Sequence, residues 1–198
     1  CNSIYIILLS LSMPLLQHLS TIISVSDELK KQLNTIAKHI EVAKGKHLLE
    51  INERCDCIYF IKKGLLRAYY FDDGKEITNW FAQENEFATC FYSFIASKSA
   101  FENIQTIEDC ELIQLSHNDL QKLYISFPET ERVGRIITEN YYIKLEERIL
   151  SLQFKTAKER YEKLTKSKPT LIQRAPLGQI AAYLGITQET LSRIRSEV

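Results

Sequence analysis

Four polar side chains near the end of the chain have the types and spacing needed to read the edges of DNA bases. They are Gln188, Glu189, Ser192 and Arg193. Arginine can bond guanine, glutamine can bond adenine, and glutamate can accept from the amino group of cytosine. The apolar residues of the same segment fall on the opposite side of a helix, at Leu191, Ile194 and Val198. This pattern predicts a helix that presents its polar face to a major groove.

The same residues allow a simpler interpretation. Glu189 and Arg193 are four residues apart, so on an ordinary exposed helix they could form an ion pair with each other. The interpretation as a DNA-reading helix is favoured because the preceding residues also fit the tight turn that such a motif requires.

Those preceding residues predict a first helix and a sharp turn. The first helix has an apolar stripe formed by Leu177, Ile180, Ala181 and Leu184. Pro176 suits its first turn, and Gly185 suits a left-handed residue that ends it. Thr187 can cap the next helix, and it can also hold a DNA phosphate together with the free N–H groups there. The segment is therefore predicted to be a helix-turn-helix.

Basic residues are concentrated in the same part of the chain. The net charge of the 198 residues is zero, but residues 157–198 carry eight Lys and Arg against four Glu, which leaves +4 there and −4 elsewhere. Phosphate neutralisation supplies much of the affinity of DNA-binding proteins. The candidate phosphate contacts are Thr187, Lys163, Lys166, Lys168 and Arg174.

Further elements are needed to position this motif. Residues 40–115 contain short runs rich in β-branched and aromatic residues, with turn signals at Gly45, Glu53, Gly64, Gly74 and Glu84. This spacing predicts an antiparallel barrel or roll, with its best hairpin at Asp73-Gly74 and a helical insertion at 91–96. Helices are expected after Ser26, after Ser116 and after Pro128.

The helix after Pro128 is predicted to be long. One apolar stripe runs along it and consists of Val133, Ile137, Tyr141, Leu145, Ile149 and Leu152. The stripe could join two copies of the chain, or it could lie against the chain's own roll, and both are possible at different positions along the helix. A dimer is favoured because helix-turn-helix motifs usually read two half-sites at a fixed spacing.

No residue set predicts catalysis or metal binding. The five cysteines have no paired spacing typical of zinc or iron–sulfur sites, and the four histidines are scattered. A metal-dependent barrel enzyme would need clustered His and carboxylate ligands on adjacent strands. We therefore expect no enzymatic activity, no metal and no cofactor, and we expect the cysteines to be apolar fillers in a reducing compartment.

The first residues form an apolar stretch, Ile4 to Leu16, without the basic start and cleavage site of a signal peptide. It is too short to span a bilayer. Met13 would make a natural beginning, so residues 1–12 are interpreted as an uncertain extension. The chain is expected to be cytoplasmic and to have no membrane partner.

The order of these parts resembles the cyclic AMP receptor and Fnr family (Crp/Fnr) of bacterial transcription regulators. The stretches most similar to it are Tyr59–Phe81, Thr156–Leu164 and Tyr183–Arg195, and the last is similar to the branch found in Bacteroidetes-type bacteria. The resemblance implies an α+β fold with an antiparallel β-roll like that of cyclic-nucleotide-binding proteins, a jelly roll or double-stranded β-helix with flanking helices. It also implies a long dimerisation helix and base contacts from Gln188, Glu189 and Arg193.

The resemblance divides the chain after the extension at 1–12 into three parts. Residues 13–126 would form the sensor roll, residues 127–154 the long dimerisation and linker helix, and residues 155–198 the DNA-binding domain. The implied partners are DNA with an inverted-repeat site, a second copy of the chain, and RNA polymerase. The alternative is a ligand- or protein-binding roll that does not regulate DNA.

The chain departs from the family in the cradle for the cyclic phosphate. The Gly-Glu-Leu turn is missing from the stretch Asn85–Phe94, and Ala100 and Phe101 stand where Arg-Ser is expected. Burying a phosphate without a cation is costly, so cyclic AMP is not the expected effector. Either another effector binds a pocket lined by Phe87, Thr89, Phe91, Ala100 and Phe101, or these side chains fill the space themselves.

Overall fold

The computed structural model describes residues 13–197. The predicted extension at 1–12 and the apolar contact at Val198 lie outside these residues. Two helices come first, α1 at Met13–Ser20 and α2 at Asp27–Ile36. The Ser26 hydroxyl caps α2 by accepting a hydrogen bond from the Leu29 N–H, as the Ser-Asp-Glu start predicts.

The middle of the chain is a roll of two four-stranded antiparallel sheets. One sheet has the order β1-β8-β3-β6, and the other has the order β2-β7-β4-β5. The strands are β1 Lys38–Val42, β2 His47–Leu49, β3 Cys57–Lys63, β4 Leu66–Asp72, β5 Lys75–Ala82, β6 Phe87–Ala88, β7 Asn103–Thr106 and β8 Cys110–Ser116. The antiparallel roll is thus confirmed.

The predicted hairpin joins β4 to β5. Asp73 and Gly74 both have positive φ, 48° and 72°. A two-residue hairpin turn needs positive φ at both central residues, because its twist then matches that of the two strands. Asp72 pairs with Lys75 across this turn, and the pairing continues to Leu66 opposite Ala82.

The core of the roll lies between the two sheets. Its fully buried side chains include Ile61, Leu66, Ile104 and Leu112, whereas Phe60 and Ile113 lie on the other face of their sheet and pack against the surrounding helices. Cys55, Cys90 and Cys110 are buried in the same region and free, as expected for apolar fillers. Among residues 13–197, no group of His, Cys, Asp and Glu is arranged to hold a metal ion.

Helices surround the roll and continue beyond it. Helix α3, Phe91–Ala96, is the predicted insertion; α4 spans His117–Ser126 and α5 spans Glu129–Phe154. The four remaining helices of the described chain are α6 Ala157–Ser167, α7 Pro169–Arg174, α8 Leu177–Leu184 and α9 Gln188–Ser196. None of the helices in 13–197 is long and apolar enough to cross a membrane.

The C-terminal helices share a core with the roll. One apolar cluster combines Leu65, Phe81 and Ile107 of the roll with buried residues of α6 to α9. The Phe81 ring meets the Tyr183 ring edge to face at 5.4 Å between centroids. The C-terminal unit is therefore docked against the roll.

Candidate nucleic-acid interface and effector cavity

Helices α8 and α9 are joined by a turn whose backbone follows from its residues. Gly185 has φ +65° and ψ +38°, the left-handed conformation that glycine adopts without steric cost, and its N–H bonds carbonyls of the last turn of α8. Thr187 caps α9 by accepting a hydrogen bond from the Thr190 N–H at 3.2 Å. The chain thus ends one helix and begins the next within three residues, as predicted.

The two helices bury the apolar faces expected from their periodicity. Ile180, Ala181 and Leu184 of α8 are buried, as are Leu191 and Ile194 of α9. The four candidate base-contact residues are all exposed on the outer side of α9: Gln188, Glu189, Ser192 and Arg193.

No ion pair joins Glu189 to Arg193 in the described chain, so the simpler interpretation of these residues is not supported. Instead, its own backbone N–H and the nearby Thr187 hydroxyl favour the charged carboxylate of Glu189 and lower its pKa. Glu189 therefore lies ionised at the N-terminal end of α9, where the helix dipole is positive. Its carboxylate is exposed and can accept hydrogen bonds from a ligand.

The candidate phosphate contacts differ in availability. Lys166 is exposed, and no side chain of residues 13–197 pairs with it. Lys163 Nζ contacts Glu147 of α5 at 2.7 Å, and both side chains are about half exposed. Thr187 uses its hydroxyl to cap α9. Only Lys166 is thus wholly free for phosphate in this arrangement.

Lys168 and Arg174, the other two basic residues predicted to contact phosphate, are held by carboxylates of the roll. Lys168 Nζ lies 3.0 Å from Glu86. Arg174 donates two hydrogen bonds to Glu84, at 2.8 and 2.9 Å, and further ones to Glu108. Burial would raise the pKa of Glu84, but the bonds from Arg174 and from the Gly64 N–H lower it to about 2. These cations dock the C-terminal unit.

The predicted apolar stripe of α5 divides into two parts. Val133 is buried in the chain's own core, Ile137 packs against that core, and the Tyr141 ring meets Phe91 at 4.3 Å. Their predicted place in a subunit interface is corrected: they fix α5 to the roll. The later predicted members, Leu145, Ile149 and Leu152, are exposed, and together with exposed Tyr142, which was not predicted, they form a stripe spaced by three and four residues.

The five residues predicted to line an effector pocket do not all lie around one cavity. Phe87, Thr89 and Phe91 line a cavity of about 420 Å³ between the roll and α5. Ala100 is buried in the core instead, and Phe101 packs on the outside against Tyr92, at 5.9 Å between ring centroids. Both are therefore removed from the pocket.

The roll interior carries a carboxyl group that the sequence did not single out. Glu102 is 1% exposed, and its oxygens accept from Asn79 Nδ2 at 2.8 Å and Trp80 Nε1 at 3.3 Å. Burial raises its pKa. The buried cation of the roll, Arg67, is engaged by Glu76 and Gln105. This arrangement does not provide a free cation for a cyclic phosphate.

Sequence reasoning also missed two arginines that hold the end of α8. Arg148 of α5 donates to the Tyr183 carbonyl at 2.8 Å, and Arg160 of α6 donates to the Leu184 carbonyl at 2.9 Å. Their position could not be read from the sequence, because the acceptors are backbone atoms 24 and 35 residues away.

Comparison with known proteins identifies the roll. Residues 39–126 match the family model for the cyclic nucleotide-binding domain. No curated protein sequence matches the chain.

Solved structures of bacterial regulators share the fold of nearly the whole chain. FixK2 from Bradyrhizobium japonicum has 21% identity and a TM-score of 0.70, over 82% of this chain and 84% of that one. The c-di-GMP-responsive global regulator CLP of Xanthomonas campestris has 16% identity and a TM-score of 0.69, over 87% and 91%. A transcriptional regulator of the crp/fnr family from Eubacterium rectale has 18% identity and a TM-score of 0.68, over 87% and 82%. The roll of this chain thus matches the cyclic nucleotide-binding domain model over residues 39–126, and the chain as a whole shares its fold with solved Crp/Fnr-type regulators.

Proposed function

We propose that this protein is a homodimeric transcription regulator of the Crp/Fnr type that binds a specific DNA sequence. The observation that carries the proposal is the outer face of α9. Gln188, Glu189, Ser192 and Arg193 are exposed together on a capped helix, and Glu189 and Arg193 are not paired with each other. Their donors and acceptors match those of base edges in a major groove. Thr187 and Lys166 would add phosphate contacts.

The exposed stripe of α5 supports the dimer. Tyr142, Leu145, Ile149 and Leu152 repeat at the 3-4-3 spacing of a two-helix seam, and each is at least 37% exposed. Pairing two copies along this stripe would bury these side chains and hold two copies of α9 at a fixed distance. Such a dimer reads an inverted repeat.

Control by an effector in the roll is part of the proposal, with an effector other than cyclic AMP. Burying a cyclic phosphate needs a cation, and the roll offers Glu102 and an already paired Arg67. An effector would act by favouring one arrangement of α5 over another. Regulation in the cytoplasm through RNA polymerase is the setting that fits such a protein.

Selection of genomic fragments by the purified protein tests this function. We expect enrichment of an inverted repeat with half-sites about one helical turn apart. Binding should weaken steeply with salt. A Gln188→Ala/Arg193→Ala double variant, which leaves the buried face of α9 intact, should lose the enrichment. Absence of salt-sensitive DNA binding by the wild-type protein would favour a ligand- or protein-binding roll without a role on DNA.

A further inference from the structure

Arg148 and Arg160 both line the cavity of about 420 Å³. Phe91 lines it too and meets Tyr141 of α5, about two turns before Arg148, so the aromatic residues and the two arginines lie at different ends of the cavity. Arg148 Nη2 bonds the carbonyl of Tyr183, and Arg160 Nε bonds the carbonyl of the next residue, Leu184. Because these acceptors are consecutive along the backbone, the two guanidinium groups are neighbours.

Neither guanidinium is paired with a carboxylate within residues 13–197. Arg148 also donates to the Thr78 carbonyl at 3.0 Å and stacks on the Tyr183 ring at 4.0 Å. Burial lowers the pKa of Arg148, and the nearby charge of Arg160 lowers it further. The protein therefore holds two like charges together without a counter-charge, which is unfavourable unless an anion joins them.

Both groups have unused donors that are not sealed inside the protein. Each guanidinium has five N–H groups. In the described chain, Nε and Nη1 of Arg148 and Nη2 of Arg160 have no protein acceptor, and none of these atoms is a buried group without a partner. Two adjacent forks of this kind suit the oxygens of a phosphate group, which arginine binds through paired hydrogen bonds.

The remaining charges of the cavity wall add to this positive potential. Its cations are Lys144, Arg148, Arg160, Lys163 and Lys168, and its carboxylates are Glu86 and Glu147. Glu86 is shared by Lys144 at 2.9 Å and Lys168 at 3.0 Å, and Glu147 pairs with Lys163. Five cations therefore face two carboxylates.

The negative end of the α8 dipole does not neutralise the charge of the two arginines. The end of a helix carries about half of a negative elementary charge, whereas the two guanidinium groups carry two positive ones. Their bonds to carbonyl groups thus position them without neutralising them.

We propose that the Arg148–Arg160 pair is a binding site for a phosphate group, presented by a small phosphomonoester or by free phosphate. An aromatic or apolar substituent of the ester would extend toward Phe87 and Phe91 at the other end of the cavity. Because Arg148 lies on α5 and Arg160 on α6, the ligand would join the proposed dimer helix to the C-terminal unit. The site gives the effector of the proposed function a chemical class, and its occupancy is measurable without DNA.

Calorimetric titration of the full-length protein with inorganic phosphate and with phenyl phosphate, at constant ionic strength set by chloride, tests the site. We expect saturable binding of at least one of them. Tighter binding of phenyl phosphate identifies the ligand as an ester that uses the aromatic end, and equal binding identifies free phosphate. Arg148→Gln and Arg160→Gln should each weaken binding by about tenfold or more, since each removes charge-assisted bonds. Arg135→Gln, which alters an exposed arginine of the same helix, should bind like the wild type.

A second variant separates ligand binding from a structural role of the arginines. Ser151 lines the same cavity on α5, one turn from Arg148. Ser151→Asp would place a carboxylate beside the pair, and we expect it to abolish phosphate binding and to raise the melting temperature of the ligand-free protein. Absence of saturable binding to the wild type would overturn the proposal. So would wild-type phosphate affinity in Ser151→Asp, or loss of binding in Arg135→Gln equal to that in Arg148→Gln.

Discussion

Arg193 is the side chain of α9 for which base recognition can be tested most directly. It is exposed, it lies outside the apolar face formed by Leu191 and Ile194, and its fork matches guanine. Arg193→Ala should lower discrimination at one base pair in each half-site by about 1–3 kcal/mol. Gel-shift titrations with operators mutated one position at a time check this. A loss equal on every operator, including unrelated DNA, would contradict base reading.

Lys166 should behave differently from Arg193. Because it is free of intramolecular carboxylates in the described chain, it is the basic residue best placed to bind phosphate. Lys166→Ala should weaken binding to all sequences alike and reduce the slope of log affinity against log salt by about one. Lys98→Ala, a change of the same type on the roll, is the control and should leave the slope unchanged. An unchanged slope in Lys166→Ala would remove this residue from the interface.

At this scale the sequence predicted what is local. Gly185, Thr187 and Ser116 take the conformations and caps expected of them, because the groups that they bond lie within a few residues. Nothing in the sequence indicates that Arg174 bonds Glu84, a residue 90 positions away. From the sequence alone, a basic residue that faces DNA cannot be distinguished from one that forms an ion pair with the roll, because the partner is set by the tertiary fold.

Among the elements, α5 is the one whose two halves have different surroundings. Its first half buries Val133 in the core, and its second half exposes an apolar stripe. The helical period alone predicts all six residues on one face of α5. A straight helix that crosses a roll contacts it along only part of its length, so the later residues of that face are exposed. Tyr142 was not predicted, because the helical period assigns Tyr141 to the stripe, whereas in the structure Tyr141 packs against Phe91 and Tyr142 is exposed beside Leu145.

The exposed stripe of α5 formed by Tyr142, Leu145, Ile149 and Leu152, which we call the seam, leads to a prediction about assembly. Ile149→Asp would place a charge between two copies of α5, and burying an unpaired carboxylate is costly. We expect it to convert the dimer into a monomer and to lower DNA affinity. Sedimentation velocity measures the change. Ile125→Asp is the matched control, because Ile125 is 82% exposed on α4, away from the seam. If Ile149→Asp stays a dimer, the subunit contact lies elsewhere.

The strands show the same division between local and distant information. The hairpin at Asp73-Gly74 and the strands rich in aromatic residues were predicted, since turn and strand signals are close in sequence. Strand β7, Asn103–Thr106, was missed because Asn and Gln give it no strand signal. It pairs with β2 and β4, and this pairing depends on the completed sheet.

For the whole molecule, the ionic contact between α7 and the roll should make stability depend on pH. Glu84 has a pKa of about 2 in the fold against an ordinary 4.5, so its contribution is full above pH 4.5 and is lost as the pH falls toward 2. At neutral pH, Glu84→Gln should destabilise the protein by about 1 kcal/mol, after allowance for solvent screening. Denaturant unfolding at several pH values measures this, and the difference from the wild type should shrink in acid. A difference that stays constant down to pH 2 would mean that the carboxylate charge is not responsible.

The same interface predicts how the molecule unfolds. The sequence suggests a separate DNA-binding part at residues 155–198, but Leu65, Phe81 and Ile107 of the roll complete its core. We therefore expect a single thermal transition in which the roll and the C-terminal helices unfold together. Phe81→Ala should lower that transition as a whole, at a cost of about 3–5 kcal/mol for a buried aromatic ring. Phe71→Ala, on the exposed part of β4, should have little effect. Calorimetry combined with hydrogen exchange decides the question: if Phe81→Ala opens α8 and α9 well below an unchanged transition of the roll, the two parts are coupled only weakly, and the ionic contacts of Arg174 and Lys168 hold together units that fold independently.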